Sequence, residues 1–204
     1  MKQLLRKGMM VLALALVSVG AAEAKRKPPK QPVKAALPVP AAKPAPLAPA
    51  AAPTLAPLNV RLLNAHNNER MAVGVPMLVW SDQLARDAAV WAKHSAQTNS
   101  FEHAPQRTGK DDQGENLWMG TKGAYTPEDM VGAWIDEKKL FKRGKFPNVS
   151  STGNWVDVGH YTQLIWTNTT SVGCSIAENG TDEYLVCRYA PPGNWIGQSP
   201  FGDK

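Results

Sequence analysis

The chain supplies only four imidazoles, His66, His94, His103 and His160, and imidazole is the side chain whose ordinary pKa lies near neutrality. Two of them stand in polar or glycine-flanked settings: His103 in Phe101-Glu102-His103-Ala104 and His160 in Val158-Gly159-His160-Tyr161. Two carboxylates have equally distinctive surroundings. Glu115 lies in Gly114-Glu115-Asn116-Leu117, and Glu137 follows Trp134 on the same expected helix. Two imidazoles with two carboxylates suit a divalent-metal site, a general acid/base pair or a closed hydrogen-bond network. Spacing alone does not bring positions 103, 115, 137 and 160 together, so all three readings stand at this point. His66, beside Asn67 and Arg70, reads as a buried hydrogen-bonding histidine, and His94 has no evident partner.

The charge of the chain is unevenly distributed. Of its 204 residues, Lys2, Arg6 and Lys7 precede an apolar run from about Met9 to Ala22, and Ala22-Glu23-Ala24 supplies a small-x-small cleavage pattern. Residues 1–24 therefore read as a signal peptide cut near Ala24, placing the mature protein in a secreted or periplasmic location. The run is shorter than the roughly 20 apolar residues of a membrane span, so no transmembrane segment is expected in the mature chain. Residues 25–57 hold ten prolines, ten alanines and six basic residues without an acid, which predicts a disordered, extended spacer. At about 3.1 Å per residue it would reach roughly 100 Å, and its charge suits an anionic cell-surface or wall component. Residues 58–204 carry 14 basic against 16 acidic side chains and hold all seven tryptophans. A net charge of −2 there excludes a nucleic-acid-binding domain as the default reading, and 147 residues suffice for one well-buried core.

Helices precede strands in that region. The pattern predicts a helix over Asn59–Val73 ended by Gly74, and a second over Asp82–Gln97 capped by Ser81. A third opens at Thr126-Pro127-Glu128-Asp129 and turns Val131, Trp134 and Ile135 inward. The segment after Gly159 is ambiguous between helix and strand. Asn179-Gly180-Thr181-Asp182 predicts a hairpin turn between the β-rich runs Ser171–Ala177 and Tyr184–Tyr189. A four-residue loop there sets Cys174 directly opposite Cys187, and export favours a disulfide between them. With no further cysteine, a cysteine-based zinc site is disfavoured. Trp80, Trp91, Trp134 and Trp166 are expected in the core. Helices followed by strands, without βαβ alternation, indicate an α+β architecture.

Two longer stretches are more specific. Gly159-His160-Tyr161-Thr162-Gln163-Leu164-Ile165-Trp166 and Val186-Cys187-Arg188-Tyr189-Ala190-Pro191-Pro192-Gly193-Asn194-Trp195 resemble the two signatures of the CAP superfamily, the cysteine-rich secretory, antigen 5 and pathogenesis-related proteins. Lesser motifs follow in family order, from His66-Asn67 with Arg70 to Gly197-Gln198-Ser199-Pro200-Phe201, so the likeness spans about residues 58–202. It implies an α-β-α sandwich with a central antiparallel sheet between helical layers. It also implies a cavity lined by His103, Glu115, Glu137 and His160, with Zn2+ or another divalent cation held by His103 and His160 in some members. Asn116 and Gln163 are expected to hold the neighbouring carboxylates and imidazoles in place, with Tyr161 at the border.

Three functions follow from the resemblance. The first is an exported binding module for a lipid, sterol, fatty acid or other small apolar ligand, or for a cell-surface partner, with no cofactor required and no nucleic acid bound. The second is a protease-like, metal-dependent hydrolase using the His/Glu tetrad. The third keeps the tetrad as a structural network, with partners bound through surface loops such as Phe141–Trp155. Ala104 stands where many members have Ser, which removes a proposed nucleophile; no catalytic residue is assigned.

Overall fold

In a computed structural model, residues 56–105, 109 and 112–202 are described, and the expected leader and nearly all of the spacer lie outside them. Helix α1 (Leu58–Val73) stops where Gly74 takes a left-handed φ of 75°, a conformation glycine adopts without a Cβ penalty. Helix α2 (Asp82–Thr98) starts at Ser81, whose hydroxyl accepts from Leu84 N at 3.3 Å. Helix α3 (Pro127–Ile135) opens on a reciprocal capping box: Asp129 N donates to Thr126 Oγ1 at 3.2 Å, and Thr126 N to Asp129 Oδ2 at 2.9 Å. It runs directly into a 3-10 turn, Asp136–Lys139, that carries Glu137. A second 3-10 turn, Trp155–Val158, leads into helix α4 (Gly159–Leu164).

Four strands, β1 (Val79–Trp80), β2 (Gly114–Thr121), β3 (Ser171–Glu178) and β4 (Asp182–Ala190), form one sheet in the order β1-β3-β4-β2. The long strands are antiparallel, and only the two-residue edge strand β1 runs parallel to its neighbour β3, so the sheet is mixed. The hairpin lies where the sequence puts it. Its last pair, Glu178 with Glu183, encloses positions 179–182, and Asn179 Oδ1 accepts from Thr181 N at 2.9 Å and Asp182 N at 2.8 Å. Cys174 faces Cys187 and the two form a disulfide.

Side-chain alternation along β2 and β4 sorts the core into layers. Leu117 and Val186 point to one face and pack under Ala88 and Ala92 of α2. Trp118, Leu185, Cys187 and Tyr189 point to the other, against Leu62 of α1, Met130, Val131 and Trp134 of α3, and Leu164 of α4. The result is the expected α-β-α sandwich. Trp134 and Trp166 are buried, whereas Trp80 and Trp91 are half-buried, because their indole N–H groups reach Asp82 Oδ1 at 3.1 Å and Glu102 O at 2.8 Å near the surface.

Gly173 marks the closest approach between layers. A Cβ there would lie 2.3 Å from Ala85 N, 2.4 Å from Ser81 O and 2.7 Å from Leu84 C, all backbone atoms of the start of α2. Gly173→Ala should therefore lower unfolding stability by about 1–3 kcal/mol through overpacking. Thermal or denaturant unfolding reads this directly, and wild-type stability in that variant would contradict the packing.

Candidate functional site

Glu137 reaches the first residues of α4 from the 3-10 turn behind α3. Its Oε1 takes a hydrogen bond from His160 Nδ1 at 2.7 Å, and its Oε2 accepts from the backbone N–H groups of His160 at 3.0 Å and Tyr161 at 3.1 Å. Glu115, at the start of β2, does the same for His103 in the segment after α2. Glu115 Oε1 accepts from His103 Nδ1 at 2.7 Å and Ala104 N at 3.0 Å, and its Oε2 is paired with Arg188 Nη2 at 2.7 Å. A carboxylate can only accept, so each histidine carries its proton on Nδ1, and in the neutral ring Nε2 presents a lone pair. Among the described residues neither Nε2 has a hydrogen-bond partner. The imidazoles are 18% and 15% exposed, enough for those nitrogens to meet a ligand.

The four predicted residues thus form two His–Glu pairs, anchored from opposite faces of one strand. Glu115 points to the α2 face of β2; Asn116, the next residue, points to the other, where its Nδ2 donates to His160 O at 3.1 Å and Tyr189 Oη at 3.2 Å. Asn116 thus reaches the backbone of His160, whereas the expectation had it holding a carboxylate or an imidazole ring. Among the described residues, no three of the four place ligand atoms within 4.8 Å of one another. Tyr161 borders Glu137 through its backbone, and its hydroxyl donates to Glu69 Oε1 at 3.0 Å. Burial and the Glu69 charge push that phenol well above its ordinary pKa. Gln163 hydrogen-bonds outside the tetrad: its Oε1 accepts from Gly193 N at 2.8 Å and its Nε2 donates to Thr169 Oγ1 at 3.3 Å.

One group of three possible metal ligands does lie within 4.8 Å: His66, Cys174 and Cys187. It does not suit a cation. Both sulfurs are spent in the disulfide, and both ring nitrogens are engaged, since Nδ1 donates to Leu62 O at 2.8 Å and Nε2 accepts from Tyr189 Oη at 2.8 Å.

Residues 63–189 match the family described as CAP: Cysteine-rich secretory protein family. The chain belongs to that family. It is 36% identical over 140 residues to pathogenesis-related protein 1A of Nicotiana tabacum, covering 68% of this chain and 78% of the tobacco protein. It is 34% identical over 137 residues to pathogenesis-related protein PR-1 of Medicago truncatula, covering 66% and 74%. Among solved structures, NaASP2 with Zn2+ aligns at a TM-score of 0.60 and 22% identity over 72% of this chain and 86% of that one. BmVAL-1 aligns at 0.60 and 23% over 74% and 85%. These structural likenesses establish the fold.

Several residues that hold the site in this CAP domain do not stand out in the sequence. Asn194, in the second signature, donates to Gly159 O at 2.9 Å and accepts from Thr162 Oγ1 at 2.7 Å, which pins the first turn of α4. Glu69 on α1 gathers Tyr161 and Lys138 Nζ, the latter at 3.2 Å, around Glu137. Arg188 lies directly opposite Glu115 in the β2–β4 register. Arg188 and Asn194 sit inside a recognised signature and Glu69 lies between Asn67 and Arg70, yet only the fold reveals their partners. Arg70 itself is fully buried and donates to four carbonyls, of Pro76, Leu164, Trp166 and Thr169, at 2.7–3.0 Å; burial lowers its pKa to about 10.

His66 carries a pH signature. Desolvation lowers its pKa to about 4 from 6.5, overriding the hydrogen bond to Leu62 O. Between these values the unfolded chain binds a proton that the native state refuses, so stability falls as pH drops from 6.5 to 4. The cost is about 3 kcal/mol at 1.36 kcal/mol per unit. Unfolding free energies across this range should fall more steeply in the wild type than in His66→Gln; equal slopes would contradict a neutral buried His66.

Proposed function

We propose that this chain is an exported, non-catalytic binding module in which His103 and His160 hold a divalent cation through their Nε2 atoms. The observation that carries this reading is the occupancy of the carboxylates. Glu115 is committed to His103, Ala104 N and Arg188, and Glu137 to His160 and two backbone N–H groups. A hydrolase needs a carboxylate turned toward a water, and both here are turned toward Nδ1 of a histidine. A carboxylate on Nδ1 orients an imidazole for metal binding at Nε2. Two protein nitrogens fall short of the three ligands of typical catalytic zinc, which suits an exchangeable cation completed by water. The structure of NaASP2 with Zn2+ supports the choice of ion. The disulfide supports an oxidising, extracytoplasmic setting. A lipid, sterol or fatty acid bound at a separate apolar site completes the module, and the basic spacer would bring it to an anionic surface.

Calorimetry with Zn2+ tests the cation. Wild type should bind one equivalent, Glu137→Gln should bind roughly 10- to 100-fold more weakly, and His103→Ala/His160→Ala should not bind while keeping its fold. Unchanged zinc stoichiometry in the double variant would remove the assignment, and unfolding of that variant in chelator would make the tetrad structural. For the cargo, native mass spectrometry of protein purified gently from its host should release an apolar ligand on collisional activation. A clean protein mass would count against it.

A further inference from the structure

The two His–Glu pairs look alike at the imidazole and differ in what fixes the carboxylate. Glu137 is held by peptide N–H groups of the very segment it orients. Glu115 has one peptide donor, Ala104 N, and its second oxygen faces a guanidinium from a different strand, with Arg188 Nη2 at 2.7 Å from Oε2. Both side chains of that ion pair are almost fully enclosed, at 6% and 7% exposed. Their Cα atoms are direct partners in the β2–β4 ladder. A buried carboxylate keeps one orientation when an opposite charge is fixed beside it, and here the guanidinium is that charge.

We infer that Arg188 is a positioning residue of the cation site: it holds the Glu115 carboxylate oriented so that His103 presents Nε2. This rests on the cation reading above. The route runs from the Arg188 guanidinium to Glu115 Oε2, and from Glu115 Oε1 to His103 Nδ1. Loss of the guanidinium frees Glu115 Oε2, lets the carboxylate turn, and opens the proton on His103 Nδ1 to exchange with solvent. The Glu137–His160 pair, held by its own backbone, is untouched. A lysine at 188 keeps the charge but replaces the planar guanidinium by one ammonium, so it restores the arrangement in part.

The test uses the disulfide-intact protein and two readouts. In metal-free wild type, imidazole Nδ1–H resonances of both His103 and His160 should be visible by proton–nitrogen NMR, protected by their 2.7 Å bonds. Arg188→Met should lose the His103 resonance, keep that of His160, and bind Zn2+ about 10- to 100-fold more weakly. Arg188→Lys should shift the His103 resonance alone, with a smaller loss of affinity. Should Arg188→Met fail to fold, Arg188→Lys carries the test by the same His103-selective shift. Wild-type resonances at both histidines in the folded variant would overturn the inference, as would equal changes at both. If the wild type binds no Zn2+, the cation reading fails while the NMR comparison still decides whether Arg188 positions His103.

Discussion

The register of β2 against β4 is the constraint on which the rest depends. It sets Glu115 opposite Arg188 and Asn116 opposite Cys187, in adjacent rungs whose side chains emerge on opposite faces of the sheet. One rung delivers a carboxylate to His103, and the next delivers an amide to the backbone of His160. A slip by one residue would exchange the two faces, taking Glu115 away from His103 and the Asn116 amide away from His160 O. The disulfide ties β4 to β3 at the same level, so the neighbouring β3–β4 register is fixed covalently.

Within that frame the carboxylates act as orienters. Each takes the Nδ1–H of an imidazole, and each has its other oxygen engaged by a different device: peptide N–H groups for Glu137, a buried guanidinium for Glu115. Trp134 lies between His160 and the buried His66 on the α3 side. Its ring lies 6.1 Å from His160 in a stacked arrangement and 6.1 Å from His66 edge-on, and its N–H donates to Leu117 O at 3.0 Å. From His66 through the Tyr189 hydroxyl to the Asn116 Nδ2 and His160 O, buried polar groups form one continuous hydrogen-bonded chain.

What could be seen in the sequence was local. The hairpin was legible because Asn179-Gly180 and flanking β-branched runs encode turn and strands within about 20 residues, and that local count placed Cys174 against Cys187. The caps of α2 and α3 were legible for the same reason. Strand β2 was not, because Gly114, Glu115, Asn116 and Gly120 are poor strand formers and only the eight-residue ladder with β4 makes the segment extended. Helix α4 was ambiguous because Tyr161 and Thr162 favour strands; Asn194 and Glu137 bind its first turn and decide the matter. The tetrad residues stood out one by one through their glycine and polar neighbours, and the resemblance to the CAP family joined them. Arg188 and Glu69 stayed invisible, since a charged residue inside a buried element is understood only once its partner across the fold is known.

The proposed function stands or falls on two oriented Nε2 atoms sharing one cation. Crystals grown with Zn2+ and measured on both sides of the zinc absorption edge test it most directly. The expected result is an anomalous peak about 2.0–2.1 Å from Nε2 of His103 and of His160, with solvent completing a tetrahedral shell. Zinc bound through Nδ1, on one histidine alone, or at neither would contradict it.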